Sequence, residues 1–513
     1  MFSKLDALLL SAFLYFLSYP FAFHSANLIP DWVSATVIWF AFVPLFVLLR
    51  GLPPAESFRK TFGFGVIANG AILFWIIIAM KKYGGLSILL SGGIMALMIL
   101  ALATYSALAA FATAVFRNRA PAWLTGTLFF TLMEWVRVYV PFGGFPWAAP
   151  ANALAGSLYL VQAADRIGVT GLNLVIFFTN FALAELVIAR RERRPLPRLL
   201  PGSAAVLFLV LLTYGILEIR TRRAQPEPTD RVRVALLQGN VAENLKLDPE
   251  QEREILENYR TLTGEALRVA PDLIVWPEAA LPFTLPRDIR TLPAIGKWIG
   301  RSQLLTGVAT ASGQENEIAF WNSALVIGPD GGVRFRYDKQ HLVPFGEYVP
   351  FSDLLPMRYI VPPVAGNFRA GSKPILAEVN GHPFGILICY EIIFPDLSLD
   401  FVDRGATFLV NITNDAWFDQ TSGPYQHVRF GLLRAVETRR PVVRSANTGI
   451  TTWFDPVGRI HTPTRFFTRG FVTADIAPST ERTFYVRHPY LIPLLMLVLL
   501  LFVVLRKERR HGG

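Results

Sequence analysis

The 513-residue chain is 52% hydrophobic and 17% charged, with a mean hydropathy of +0.40, whereas soluble domains carry roughly 25% charged residues. Its formal net charge of +11 would suit a nucleic-acid binder, but the basic residues lie between apolar runs rather than in one patch, as a membrane orientation signal requires. The single cysteine, Cys389, excludes an intrachain disulfide and argues against a Cys/His metal cluster, and with neither a metal-ligand spacing nor a phosphate-binding glycine loop in the sequence no metal or cofactor is expected.

A membrane span needs about 20 mostly apolar residues. Such stretches fall at 6–23, 32–49, 62–80, 88–116, 122–140, 170–189, 199–218 and 489–505. The first has the length of a secretory signal peptide, but seven spans follow and no small-x-small cleavage pattern ends it. Counting Lys and Arg in alternate loops sets the orientation. Fifteen mark one side: Lys4, Arg50, Arg59, Lys60, Arg117, Arg119, Arg190, Arg191, Arg193, Arg194, Arg198, Arg506, Lys507, Arg509 and Arg510. The other side's short loops hold three, Lys81, Lys82 and Arg166. Both termini are therefore expected in the cytoplasm and 220–488 on the outer face. The expected organisation is helices one to seven over 1–219, an exposed domain over 220–488, and a final span with a basic tail over 489–513. Glu134 and Arg137, at i and i+3 inside the fifth stretch, share a helix face. A functional intramembrane charge and a self-compensating pair near the interface both fit. The loop Pro141-Phe142-Gly143-Gly144-Phe145-Pro146-Trp147 reads as a rigid aromatic turn.

Past a polar linker, Arg220 to Asp230, the pattern changes to short β-type runs: Val232–Gln238, Leu273–Trp276, Leu304–Val308, Ser323–Ile327, Phe384–Cys389 and Phe408–Ile412. Residues 248–268 read as a charged amphipathic helix with Ile255, Leu256, Tyr259, Leu262 and Leu267 on its apolar side. Pro329-Asp330-Gly331-Gly332 and Asp455-Pro456-Val457-Gly458 are hairpin turns. Interleaved strands and helices of this kind predict a layered α/β domain.

Three segments place polar residues at or just beyond the ends of apolar strands. Leu273-Ile274-Val275-Trp276-Pro277-Glu278 is a buried strand stopped by proline, with a carboxylate beyond it. Tyr337-Asp338-Lys339-Gln340-His341 opens a loop with a lysine and leads to Glu347. Gly385-Ile386-Leu387-Ile388-Cys389-Tyr390-Glu391 ends a strand in a thiol. Each has a plain reading: a cysteine after an aliphatic run is a small buried hydrophobe, Glu278 a helix cap, Glu391 a charge at a helix N-terminus and Lys339 a turn lysine. Together they supply what acyl transfer by a thiol needs: a base, an oxyanion partner, and a nucleophile at a strand-to-helix elbow.

The order Glu, Lys, Cys in Trp276-Pro277-Glu278, Tyr337-Asp338-Lys339 and Cys389-Tyr390-Glu391 resembles the nitrilase superfamily, which implies an αββα sandwich. With Lys339-Gln340-His341-Leu342-Val343-Pro344-Phe345-Gly346-Glu347-Tyr348-Val349-Pro350, Asn414-Asp415-Ala416-Trp417-Phe418 and eight spans, the chain resembles the apolipoprotein N-acyltransferase family over essentially its whole length. The expected fold is thus a multi-pass α-helical membrane bundle of about eight spans plus an α/β nitrilase-type αββα sandwich domain, in a bacterial inner membrane with that domain periplasmic. The resemblance implies a phospholipid acyl donor, typically phosphatidylethanolamine, and as acceptor the α-amino group of a diacylglyceryl-cysteine at an apolipoprotein N-terminus. It makes Glu278 the base, Lys339 the intermediate stabiliser and Cys389 the nucleophile, and puts Glu347, Tyr390, Glu391, Trp417 and Phe418 at accessory or substrate-binding positions. It departs at Leu247, where the family commonly carries tryptophan, which leaves a stacking or gating role there without its residue.

Two other functions compete with this one. A membrane-tethered amidase would use the same three residues with water as second nucleophile, and a transporter would need paired broken helices, for which no matched pair is seen. The run from Tyr348 to Val364 is apolar but interrupted by prolines, so it joins neither helix nor central strand. A lipid entrance against the bilayer and a loop packed on its own domain are the two readings of it.

Overall fold

The computed structural model describes residues 4–23, 26–195, 199–224, 229–242, 250–313, 318–350 and 368–506. Leu247, the part of the apolar run beyond Pro350, Arg198, Lys507, Arg509 and Arg510 lie outside them. The chain divides into two compact units, one of residues 1–74, 92–225 and 487–513, the other of 75–91 and 226–486.

The first unit is helical: α1 (Lys4–Leu17), a hairpin of β1 (Ala22–Phe23) and β2 (Ala26–Asn27), α2 (Asp31–Val37), α3 (Val43–Leu48) and α4 (Pro54–Leu73). After α5 (Trp75–Lys82), which is grouped with the second unit, come α6 (Ile88–Val115), α7 (Ala122–Val136), α8 (Ala164–Arg191), α9 (Leu199–Ala224) and a C-terminal helix, Leu491–Leu505. Among the described residues α6 with its extension to Asn118, α8 and α9 are long and apolar enough to cross a membrane, and α4 with α5 make a fourth if counted as one span. Leu5–Leu17 and Leu491–Leu505 are apolar but shorter.

The continuous helix expected over 32–49 is broken. Pro44 sits in the first turn of α3, where its missing N–H is harmless. The backbone between α2 and α3 turns instead to Asn180 of α8, whose Nδ2 donates to Ile38 O at 3.0 Å and whose Oδ1 accepts the Phe42 N–H at 2.9 Å. Irregular backbone in apolar surroundings persists only where its polar groups are satisfied in this way. The stretch 62–80 is likewise divided at Phe74, and the helix expected to 140 ends at Val136 with Arg137 as its C-cap. Arg137 Nη2 donates to Glu134 Oε2 at 2.6 Å. In the following turn the Phe145 N–H returns to Arg137 O at 2.9 Å. Gly144, with φ +92°, fits because a Cβ there would lie 1.9 Å from Val138 O.

The second unit has two sheets. One runs β15 (Gly470–Ile476), β3 (Val232–Gln238), β4 (Leu273–Val275), β6 (Gln303–Ser312), β7 (Ala319–Ile327), β8 (Val333–Asp338), with β5 (Thr284–Leu285) beside β6. The other runs β14 (Ile460–His461), β13 (Thr452–Phe454), β12 (Val442–Ala446), β11 (Phe408–Thr413), β10 (His382–Ile388), β9 (Ala377–Val379). β3, β4 and β6 are parallel, as are β10, β11 and β12. Such strands are covered on both faces, so Phe408–Thr413 is buried throughout. The sheets meet face to face: Ser445 Oγ on β12 lies 2.6 Å from Leu237 O on β3 and 3.2 Å from Val275 O on β4.

Helix α10 (Glu252–Ala266) covers the first sheet with Ile255, Tyr259 and Leu262, each contributing roughly 1.5–3 kcal/mol by leaving water; Tyr259 stacks on Trp276 at 4.7 Å. α11 (Leu292–Trp298) lies in the same cluster through Leu292 and Ile295. On the second sheet, Phe401 of α12 (Pro395–Asp403) packs on Gly385, and Gly431 of α13 (Gly423–Thr438) on Phe454. The layers are therefore α, β, β, α. The expected strands stand within a few residues of their bounds, the helix expected over 248–268 runs Glu252–Ala266 among the described residues, and both hairpin turns form.

Candidate active site

The first strand end carries Glu278. The Trp276 N–H still pairs with Leu305 O at 2.8 Å, and Pro277, with no N–H, ends the ladder. The turn lies against Gly307, where a Cβ would come within 2.6 Å of Glu278 Cα, so glycine is required for the approach. Glu278 is 6% exposed. Its Oε1 accepts from Asn322 Nδ2 at 2.8 Å and its Oε2 from the Asn414 N–H at 2.9 Å.

Lys339 follows β8. Its N–H donates to Asn322 O and its O accepts the Gly371 N–H, both at 2.8 Å. Its side chain is 1% exposed, with Nζ 2.8 Å from Glu347 Oε1 and 3.5 Å from Glu278 Oε1. Burial works against the ammonium, but Glu347 and Glu278 outweigh it and hold its pKa well above the ordinary lysine value. Glu347 is itself held by Asn322 Nδ2 and by the Val343 N–H, each at 2.8 Å. Asn322 thus donates to both carboxylates flanking the lysine.

Cys389 directly follows β10 and opens a 3-10 turn, Cys389–Ile393, at φ +52°. For a non-glycine residue this left-handed geometry costs on the order of 1–3 kcal/mol, offset by surrounding contacts. Glu391 supplies four of them. Its Oε2 accepts the Ile388 N–H at 2.7 Å, and its Oε1 accepts from Tyr337 Oη at 2.9 Å, the Gln340 N–H at 2.7 Å and the His341 N–H at 3.2 Å. Glu391 thereby ties the lysine loop to the cysteine elbow; burial pushes its carboxyl up to about 7 against the pull of those N–H donors and Lys339. Burial and then Glu278 raise the Cys389 thiol above its ordinary value, while Lys339 and a hydrogen bond with Thr413 pull it down.

Glu278, Lys339 and Cys389 thus act electrostatically on one another, with Glu347 beside the lysine and Glu391 beneath the elbow. Tyr390 is buried edge-on against Phe394 at 5.0 Å. Trp417 lies 6.0 Å from Tyr83, and Phe418 lies 4.9 Å from Trp75 and 5.5 Å from His427. Sequence reasoning missed Asn322, the donor common to both carboxylates. Its one signal is an amide inside a strand, where asparagine is disfavoured. It also missed the part played by Asn414, whose main-chain N–H leaves no signal in a side-chain pattern. A buried carboxylate, thiol and ammonium in this arrangement can take a thiol proton and offset the charge that develops on an attacked carbonyl.

A family model for carbon-nitrogen hydrolases matches residues 233–485, and one for the apolipoprotein N-acyltransferase N-terminal domain matches residues 11–182. An apolipoprotein N-acyltransferase of Geobacter metallireducens is 36% identical over 455 residues, covering 88% of this chain and 87% of its own. One from Rhodopseudomonas palustris is 31% identical over 482 residues, covering 90% and 88%. A solved amidase from Nesterenkonia sp. is 17% identical, covering 50% of this chain and 93% of its own at a TM-score of 0.38. By the identity and coverage of these curated relatives, the chain belongs to the apolipoprotein N-acyltransferase family.

Proposed function

We propose that this chain moves a fatty acyl group from a phospholipid, with phosphatidylethanolamine the expected donor, to the α-amino group of the N-terminal diacylglyceryl-cysteine of apolipoproteins. The observation that carries the reading is the buried group of Glu278, Lys339 and Cys389, with each Glu278 oxygen already oriented by a donor. Glu278 takes the thiol proton, and the sulfur attacks the ester carbonyl. Lys339 faces the oxyanion, and the lysophospholipid alkoxide leaves with the proton from Glu278. A thioester remains on Cys389. The acceptor amine then attacks it, losing a proton to Glu278 and regenerating the thiol. A site this buried favours amine over water in the second step. Glu347 keeps Lys339 charged and in place, Glu391 braces the elbow, and Tyr390, Trp417 and Phe418 are assigned to the surrounding pocket.

The reading extends to placement. The helical part, 1–219, supplies seven spans and 489–513 the eighth with its basic tail; both termini are cytoplasmic, and 220–488 works on the periplasmic side of the inner membrane. The carbon-nitrogen hydrolase match over 233–485 favours one competitor, a membrane-tethered amidase with water as second nucleophile. Intact-protein mass spectrometry after incubation with phosphatidylethanolamine vesicles separates them. An added fatty-acyl mass, absent in Cys389→Ser and discharged by an N-terminal diacylglyceryl-cysteine peptide, is expected. Release as free fatty acid, with no peptide product, would favour the hydrolase.

A further inference from the structure

Behind the elbow lies a buried polar group with no part in the reaction just described. Asp415, His427, Arg444 and Asn411 are each 1% exposed or less. Asp415 accepts from Thr413 Oγ1 at 2.9 Å and from Arg444 Nη2 at 2.7 Å, and its Oδ1 is 3.0 Å from His427 Nδ1. Arg444 Nη2 is also 3.1 Å from His427 Nδ1, and Arg444 Nη1 donates to Asn411 Oδ1. The group converges on one acceptor, the carbonyl oxygen of Cys389. His427 Nε2 lies 3.2 Å from it, and Asn411 Nδ2, which donates to Leu387 O at 2.8 Å, lies 3.4 Å from it.

His427 Nδ1 lies between a group that can only donate, Arg444 Nη2 at 3.1 Å, and one that can only accept, Asp415 Oδ1 at 3.0 Å. Its Nε2 faces the Cys389 carbonyl oxygen, which can only accept, so the hydrogen bond at 3.2 Å has the ring proton on Nε2. Burial, then Arg444, lower the His427 pKa, against the pull of Asp415 and of the hydrogen bond to Cys389. The network closes on itself: Thr413, which hydrogen-bonds the Cys389 thiol, donates to the Asp415 carboxylate that lies against the ring holding the Cys389 carbonyl.

A trans peptide is planar, so its N–H points opposite to its C=O. Whatever fixes Cys389 O therefore fixes the direction of the Tyr390 N–H. A donor on the carbonyl also polarises the peptide and strengthens that N–H as a donor. The left-handed φ of Cys389 makes the restraint necessary, since nothing local favours that conformation.

We infer that His427, oriented by Arg444 and Asp415, is a positioning residue that clamps the Cys389–Tyr390 peptide so that its N–H meets the oxyanion formed when Cys389 attacks an acyl carbonyl. This deepens the acyl-transfer reading and rests on Cys389 being the nucleophile. Two reactions of the full-length protein in detergent micelles separate positioning from folding. Alkylation by iodoacetamide displaces iodide and builds no oxyanion; acylation from phosphatidylethanolamine builds one. His427→Met should acylate on the order of 100-fold more slowly, the typical loss for one oxyanion donor, with alkylation within roughly threefold of wild type. His427→Gln, which keeps a side-chain N–H, should recover most of the acylation rate. Equal acylation in the Met and Gln variants, or acylation and alkylation falling together, would overturn the assignment. If the Met variant does not fold, the Gln variant decides: normal alkylation with poor acylation would refute the clamp, and near-normal acylation would support it. Cys389→Ser runs alongside, since persisting acylation there would defeat the nucleophile assignment instead.

Discussion

Replacing Lys339 by methionine keeps the length of a side chain that is 1% exposed but removes its charge from between two carboxylates. At an effective dielectric near 20, the separations of 2.8 and 3.5 Å to Glu347 and Glu278 correspond to roughly 6 and 5 kcal/mol of attraction. Desolvation of the ammonium offsets much of this, so the expected net destabilisation is the about 3–5 kcal/mol typical of a broken buried pair. Glu278 and Glu347 share the Asn322 amide, and without the lysine they face each other as two buried like charges with no cation between them. Adding Glu347→Gln should therefore recover part of the stability while acyl transfer stays absent. Denaturation midpoints followed by tryptophan fluorescence in detergent test this. A double variant no more stable than the single one would refute the electrostatic account of the lysine.

Glu278→Gln can keep the acceptor for Asn322 but turns an N–H toward the Asn414 N–H, so it should lose about 1–3 kcal/mol of stability. Its acyl-enzyme formation, read by mass spectrometry, should slow by about 10²–10⁴-fold; normal acylation would mean another residue is the base. Gly449→Ala would put a methyl 2.2 Å from Asp415 Oδ2, so about 1–3 kcal/mol of destabilisation and slower acylation are expected, and a neutral substitution would show that the Asp415 cluster yields easily. Because burial and Glu278 raise the Cys389 thiol, its alkylation rate should keep climbing through about pH 9; a plateau below pH 8 would contradict this. Reporter fusions near residue 300 should be active on the periplasmic side and fusions at either terminus on the cytoplasmic side, and the opposite pattern would reverse the orientation.

Glu278, Lys339 and Cys389 were legible because each is a polar residue at or just beyond the end of an apolar strand, and the structure brings those ends together. Asn322, His427 and Arg444 were not, because each sits in the middle of a strand or helix and gains its meaning only from partners remote in sequence. Helix α13 hid for a related reason. Gln426, His427, Arg429, Arg434 and Glu437 are all buried along it, so no polar face alternates with an apolar one. In the helical unit, apolar length was readable, but the break at 38–42 depends on a side chain from α8 that no local pattern announces.

The segment 75–91 belongs to the compact unit formed by 226–486, so that unit is assembled from two stretches of chain. Trp75 Nε1 donates to Gln426 Oε1 at 3.1 Å, and Lys82 Nζ donates to Asp419 Oδ2 at 2.7 Å. Both partners come just after the turn Asp415–Phe418, which itself follows Asn414, whose N–H orients Glu278. Cutting the protein at the linker for a water-soluble fragment would therefore amputate a buttress, not merely an anchor. Such a fragment can retain both sheets and still hold its carboxylate loosely. A faithful miniature would have to graft residues 75–91 back, and their absence offers a physical reason for a well-folded fragment to be inert.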